Sequence, residues 1–137
     1  MVLILIIIFP IILISSFFIP DLDFIEIRRL REHIEKDLKT NLSDLPELIN
    51  RESYGWAEEG GDISLLKLNS NDCPLVSSLI TETEEINIKS DYMKMFIKNK
   101  LNPVFLKSWF YENKHGDFTK YVFDSGSCVL FRRYHYE

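Results

Sequence analysis

VFLKSWFYENKHGDFTKYVFDSGSCVLFRRYHY, residues 104–136, is the stretch that decides the fold. Three runs rich in aromatic and β-branched residues, 104–112, 117–124 and 127–136, are separated by Asn113-Lys-His-Gly116 and by Ser125-Gly126. Such runs, punctuated by turn residues, predict three antiparallel strands. Ser125-Gly126 is a two-residue hairpin candidate, which sets Phe123 opposite Cys128, Tyr121 opposite Leu130 and Thr119 opposite Arg132. A four-residue first loop sets Phe110 opposite Thr119 and Leu106 opposite Phe123.

That register sorts side chains onto two faces, because successive residues of a strand alternate. Val104, Leu106, Phe110, Tyr121, Phe123, Cys128, Leu130 and Tyr134 form the expected core face. Phe105, Lys107, Trp109, Tyr111, Phe118, Lys120, Val122, Val129, Phe131 and Arg133 fall on the other. Within the second set, Lys107, Trp109, Tyr111, Phe118, Lys120, Phe131 and Arg133 are the candidate binding residues. Aromatic and arginine side chains are what protein interfaces enrich, and a basic-aromatic sheet suits an acidic partner.

Working outward, residues 21–40 read as an amphipathic helix, with Phe24, Ile27, Leu30, Ile34 and Leu38 recurring at three- and four-residue steps. Asp44-Leu-Pro-Glu47 has the form of a capping box and predicts a second helix carrying Leu48 and Ile49. Residues 63–68 predict a strand, and 74–80 a short helix or a strand. Ser90 predicts the cap of a helix with Tyr92, Met93, Phe96, Ile97 and Leu101 on one side, stopped by Asn102-Pro103. The expected architecture is therefore α+β, with helices packed on a C-terminal three-stranded antiparallel meander.

The chain opens with eighteen uncharged residues, 2–19, of which fifteen are Val, Leu, Ile or Phe. At 1.5 Å rise per residue the run is about 27 Å long, close to the roughly 30 Å hydrocarbon thickness of a bilayer. Residues 1–20 are expected to be a retained signal-anchor, a single-pass transmembrane helix, and 21–137 one extracytoplasmic domain. Flanking charge opposes this orientation, since Arg28, Arg29, Arg31 and Lys36 follow the run. Cys73 and Cys128 favour it, because an even cysteine count in an exported domain implies a disulfide.

The net charge of −5 is concentrated near the anchor, where residues 21–60 carry eleven acids and six bases. No basic run accompanies it, so nucleic acid is not an expected partner. Chemistry is sparsely signalled. His33 and Asp37 are helix neighbours, His115-Gly-Asp117 sits among turn residues, and His135 is a strand length from Cys128. The acidic groups Glu58, Glu59, Asp62 and Glu82, Glu84, Glu85 lack the spacing of a calcium loop. No catalytic site, cofactor or metal is expected. The leading function is recognition of another protein, as an inhibitor or immunity-type factor. The alternatives are an enzyme with an unrecognised site or a pilin-like subunit. An apolar N-terminal helix, an amphipathic continuation and a C-terminal antiparallel sheet resemble the layout of type IV pilins. The apolar run has neither their Gly-Phe leader junction nor their glutamate.

Overall fold

A computed structural model of the chain describes residues 22–56 and 58–137. The element order is α1 (Leu22–Leu38), β1 (Glu47–Gly55), β2 (Gly60–Lys67), α2 (Asp72–Leu79), β3 (Glu82–Glu84), α3 (Asp91–Lys98), β4 (Leu106–Glu112), β5 (Phe118–Asp124) and β6 (Val129–Tyr136). The fold is α+β. Its sheet has six strands in the order β1-β2-β6-β5-β4-β3, every neighbouring pair antiparallel. This corrects the three-stranded meander: the three expected strands are present, as half of a wider sheet. The expected anchor, residues 1–20, lies outside the described residues. Among the described residues no helix is long and apolar enough to cross a membrane.

Helices pack on both faces of the sheet. Leu30, Ile34 and Leu38 of α1 and Val76 of α2 pack with Leu66, Tyr121, Phe123 and Leu130. On the opposite face Tyr92, Met93, Met95 and Phe96 of α3 pack with Leu65, Leu106, Val122, Val129 and Phe131. In α3 the Ser90 side chain caps the helix by accepting from the Met93 N–H. Met95 occupies the inward place expected of Ile97, which is exposed. Cys73 and Cys128 are disulfide-bonded, Cα atoms 5.5 Å apart, tying α2 to the β5–β6 turn.

The helix expected from the Asp44–Glu47 capping pattern is strand β1. Leu48 packs into the α1–α2 core while its neighbour Ile49 packs into the α3 core. Adjacent residues on opposite sides of one layer are a strand's geometry, and a bulge at Ile49, between Leu48 and Asn50, shifts the register there. Asp44 does not cap a helix. Its own N–H, with the Ser43 N–H and hydroxyl, donates instead to the buried Asp72 carboxylate at the start of α2.

Two turns are longer than expected, with different consequences. Between β5 and β6, Asp124 pairs with Val129, so the turn spans Ser125–Cys128 and Phe123 lies opposite Leu130. Asp124 Oδ2 accepts from both the N–H and the hydroxyl of Ser127, which holds the wider turn. A two-residue slip leaves every side chain on its expected face. Between β4 and β5, Glu112 pairs with Phe118, and Asp117 belongs to the turn. Asn113 Oδ1 accepts from the N–H groups of His115 and Asp117, and Asn113 Nδ2 donates to the Asp117 carboxylate. This one-residue slip places Phe110 opposite Lys120 and Trp109 opposite Tyr121. It turns the whole of β4 over.

Candidate functional site

Inversion of β4 divides the seven candidate binding residues between the two faces. Lys107, Trp109 and Tyr111 lie on the α1–α2 side. Lys107 Nζ donates to the Ser77 carbonyl and hydroxyl of α2, and Trp109 stacks on Tyr111 and tilts against Tyr121. Phe118, Lys120, Phe131 and Arg133 lie on the α3 side. The expected row of Trp109, Lys120 and Phe131 therefore does not form.

The cations of the α3 face are engaged locally. Arg133 lies over the rings of Tyr54 and Phe118, donates from Nε to the Tyr54 hydroxyl, and pairs with Asp91. Lys120 lies over Tyr92 and pairs with Glu84 at 3.1 Å. Burial alone would raise the Glu84 carboxyl, yet hydrogen bonds from Ser108 and Lys120 hold it below its ordinary range. Phe131 is buried beneath Tyr92. His135 stacks between Tyr54 and Phe118, within reach of the Tyr54 hydroxyl at 3.1 Å. Gly61 sits beside this stack, where a Cβ would meet the Tyr134 carbonyl at 1.9 Å and the Tyr54 hydroxyl at 2.9 Å. Only glycine allows that approach.

On the opposite face, α1 stands away from β4 and leaves a groove of about 890 Å³, within the range of ligand pockets. Trp109, Thr119, Arg132 and Tyr134 rise from the strands. Arg29, His33, Lys36 and Asp37 descend from α1, Lys39 follows that helix, and Tyr111 stands at the β4 end. Positions 29, 33, 36 and 37 share one side of α1, beside the Leu30, Ile34, Leu38 stripe that anchors the helix to the sheet.

Arg132 is the central side chain, 4% exposed. Its Nε donates to the Tyr121 hydroxyl at 3.3 Å and its Nη1 pairs with Asp62 at 3.2 Å. Tyr121, fully buried, donates in turn to Asp37 at 2.6 Å. Burial pushes the Tyr121 hydroxyl far above its ordinary value, which keeps it protonated as the donor in this chain. Removing one member leaves buried polar partners unpaired, at a cost of about 1–3 kcal/mol each. Among the described residues Arg132 Nη2 makes no hydrogen bond, and it is not one of the fully buried polar atoms.

Each carboxylate lining the groove is occupied. Asp37 holds Tyr121, Asp62 holds Arg132, and Asp117 accepts from Asn113 and from the Glu137 N–H, bonds that hold its carboxyl below the usual range. The cations are less fully matched. Arg29 pairs with Glu26, whereas Lys36 and Lys39 have no ion-pair partner among the described residues. His33 is held below its ordinary value by partial burial, then by Arg132 and Arg29, which outweigh Asp37 and Asp62. The groove thus combines an aromatic wall with uncommitted positive charge. Among the described residues no cluster of three or more potential metal ligands occurs.

Of the candidate residues Trp109, Tyr111 and Phe118 line this groove. The sequence reading missed Arg132, Tyr134, Lys36 and Asp62. Their signal was an arginine on the inward-facing alternation Leu130, Arg132, Tyr134 of a central strand, where a charge must be partnered. His115-Gly-Asp117 is a turn, with the Asp117 carboxylate committed to closing it.

Compared with protein-family models, curated proteins and solved structures, the chain finds no match.

Proposed function

We propose that the chain is a membrane-tethered, extracytoplasmic binding domain that recognises another protein, in the manner of an inhibitor or immunity-type factor, through the groove between α1 and the sheet. One contrast carries this reading. Lys120 and Arg133 on the α3 face are consumed by Glu84, Asp91 and ring contacts, whereas Lys36, Lys39 and one edge of Arg132 in the groove are not. Unmatched charge beside exposed aromatic surface is the composition of a recognition site. The Cys73–Cys128 disulfide supports an oxidising compartment. The apolar run 2–19 supports the tether.

Affinity capture of the full chain, solubilised in detergent from its native host, tests the reading. Lys36→Glu with Lys39→Glu alters two exposed side chains and leaves the core intact. It should abolish recovery of the partner while thermal stability stays within about 1 kcal/mol of the parent. Undiminished recovery would exclude the groove.

A further inference from the structure

The groove also specifies what it holds. We infer that its occupant is a segment of the partner polypeptide that presents a carboxylate beside an aromatic ring. The inference rests on the recognition role proposed above and adds the chemistry of the contact. Arg132 lines the groove, and its unbonded Nη2 is not one of the fully buried polar atoms, so an occupant can reach it. Arg132 is fixed in orientation by Tyr121 and Asp62, so the planar fork is preorganised. The acceptor it suits is a carboxylate, which takes a charge-assisted bond from Nη2 and leaves the Asp62 pair undisturbed.

Lys36 and Lys39 add positive charge at the mouth. Asp37, Asp62 and Asp117 do not cancel it, because each is engaged in a bond already described. The neutral imidazole of His33 supplies a further donor or acceptor at the same wall. The ring requirement comes from Trp109 and Tyr111. They stack with centroids 6.4 Å apart, and Tyr111 is 57% exposed. Tyr134, held under the Arg132 guanidinium at 5.5 Å, closes the other side. An acidic residue adjoining Phe or Tyr satisfies both halves. A purely apolar segment leaves Arg132 unmatched, and a purely acidic one leaves the aromatic wall wet.

Trp56 and Trp109 are the two tryptophans of the chain, so Trp56→Phe makes emission a reporter of the groove wall. The full chain carrying that change, in detergent micelles, is titrated with three capped peptides. They are acetyl-Gly-Asp-Phe-Asp-Gly-amide, its Asn-for-Asp counterpart and its Ala-for-Phe counterpart. The first should change Trp109 emission saturably. Each counterpart should bind at least about tenfold more weakly, the factor expected for losing one charge-assisted bond or one ring contact. Lys36→Glu with Lys39→Glu should weaken the first peptide and leave the Asn peptide unchanged. Equal binding of all three peptides, or none by any, overturns the inference. If partner capture depends on Lys36 and Lys39 while the peptides are not distinguished, the recognition role stands and the ligand chemistry falls. If capture is indifferent to those lysines, the role itself falls.

Discussion

At the scale of the residue, the decisive position is Arg132. Its strand alternation puts it where a core aliphatic belongs, and the fold answers with Asp62, Tyr121 and, through Tyr121, Asp37. A buried cation matched by hydrogen bonds on two of its three nitrogens is a poor way to gain stability, since desolvation cancels most of the attraction. It is a good way to hold a guanidinium still. His33 is partly buried beside that arginine. Its folded-state value is below the 6.5 of the unfolded chain, chiefly through burial and then Arg132 and Arg29. Between the folded and unfolded values the unfolded chain binds more protons, so stability falls as pH drops below 6.5 and is flat above it. Urea midpoints measured from about pH 5 to 8 should show a smaller loss on acidification for His33→Gln than for the parent. Identical pH profiles would mean that folding does not lower the His33 pKa.

At the scale of the element, the turns explain what was legible. Strands β4, β5 and β6 were readable because their aromatic and β-branched runs are long and their breaks are rich in Asn, Asp, Gly and Ser. Helices α1 and α3 were readable from the spacing of Leu30, Ile34, Leu38 and of Tyr92, Met93, Phe96. The orientation of β4 was not readable, because it depends on whether Asp117 starts a strand or closes a turn. The Asn113 side chain decides that through bonds a composition count does not see. Strand β1 was missed because a helical cap pattern precedes it, and its double-sided burial only has meaning once β2 and both helix layers are in place. The disulfide belongs to this scale too. It closes 55 residues and pins α2 to the Ser125–Cys128 turn, where Cys128 adopts a positive φ of 58°. Cys73→Ser with Cys128→Ser should lower unfolding free energy by roughly 4 kcal/mol if loop closure dominates. Chemical denaturation of parent and variant at equal protein concentration gives the value. A loss below about 1 kcal/mol would mean that the unfolded chain is already compact across this loop.

At the scale of the whole molecule, one six-stranded sheet carries two unlike faces. The α3 face is closed by its helix and by a ladder of Tyr54, His135, Phe118 and Phe110, with Arg133 laid over it. The α1–α2 face is closed only in part, and the uncovered remainder is the groove. The sequence reading sought aromatic and basic side chains on adjacent strands. A one-residue register difference puts Trp109 and Tyr111 on the other side of the sheet, beside Lys36, Arg132 and Tyr134 rather than Lys120, Phe131 and Arg133.

Neighbouring residues of β4 now make opposite statements about the partner. Tyr111 faces the groove and Phe110 faces the α3 side, and the two are almost equally exposed, at 57% and 55%. A photo-reactive benzoylphenylalanine placed at either position of the full chain, in cells of its native host, tests the central claim most directly. Irradiation should cross-link the partner from position 111 and not from position 110. Cross-linking from 110 alone, or equally from both, would contradict the groove as the recognition site.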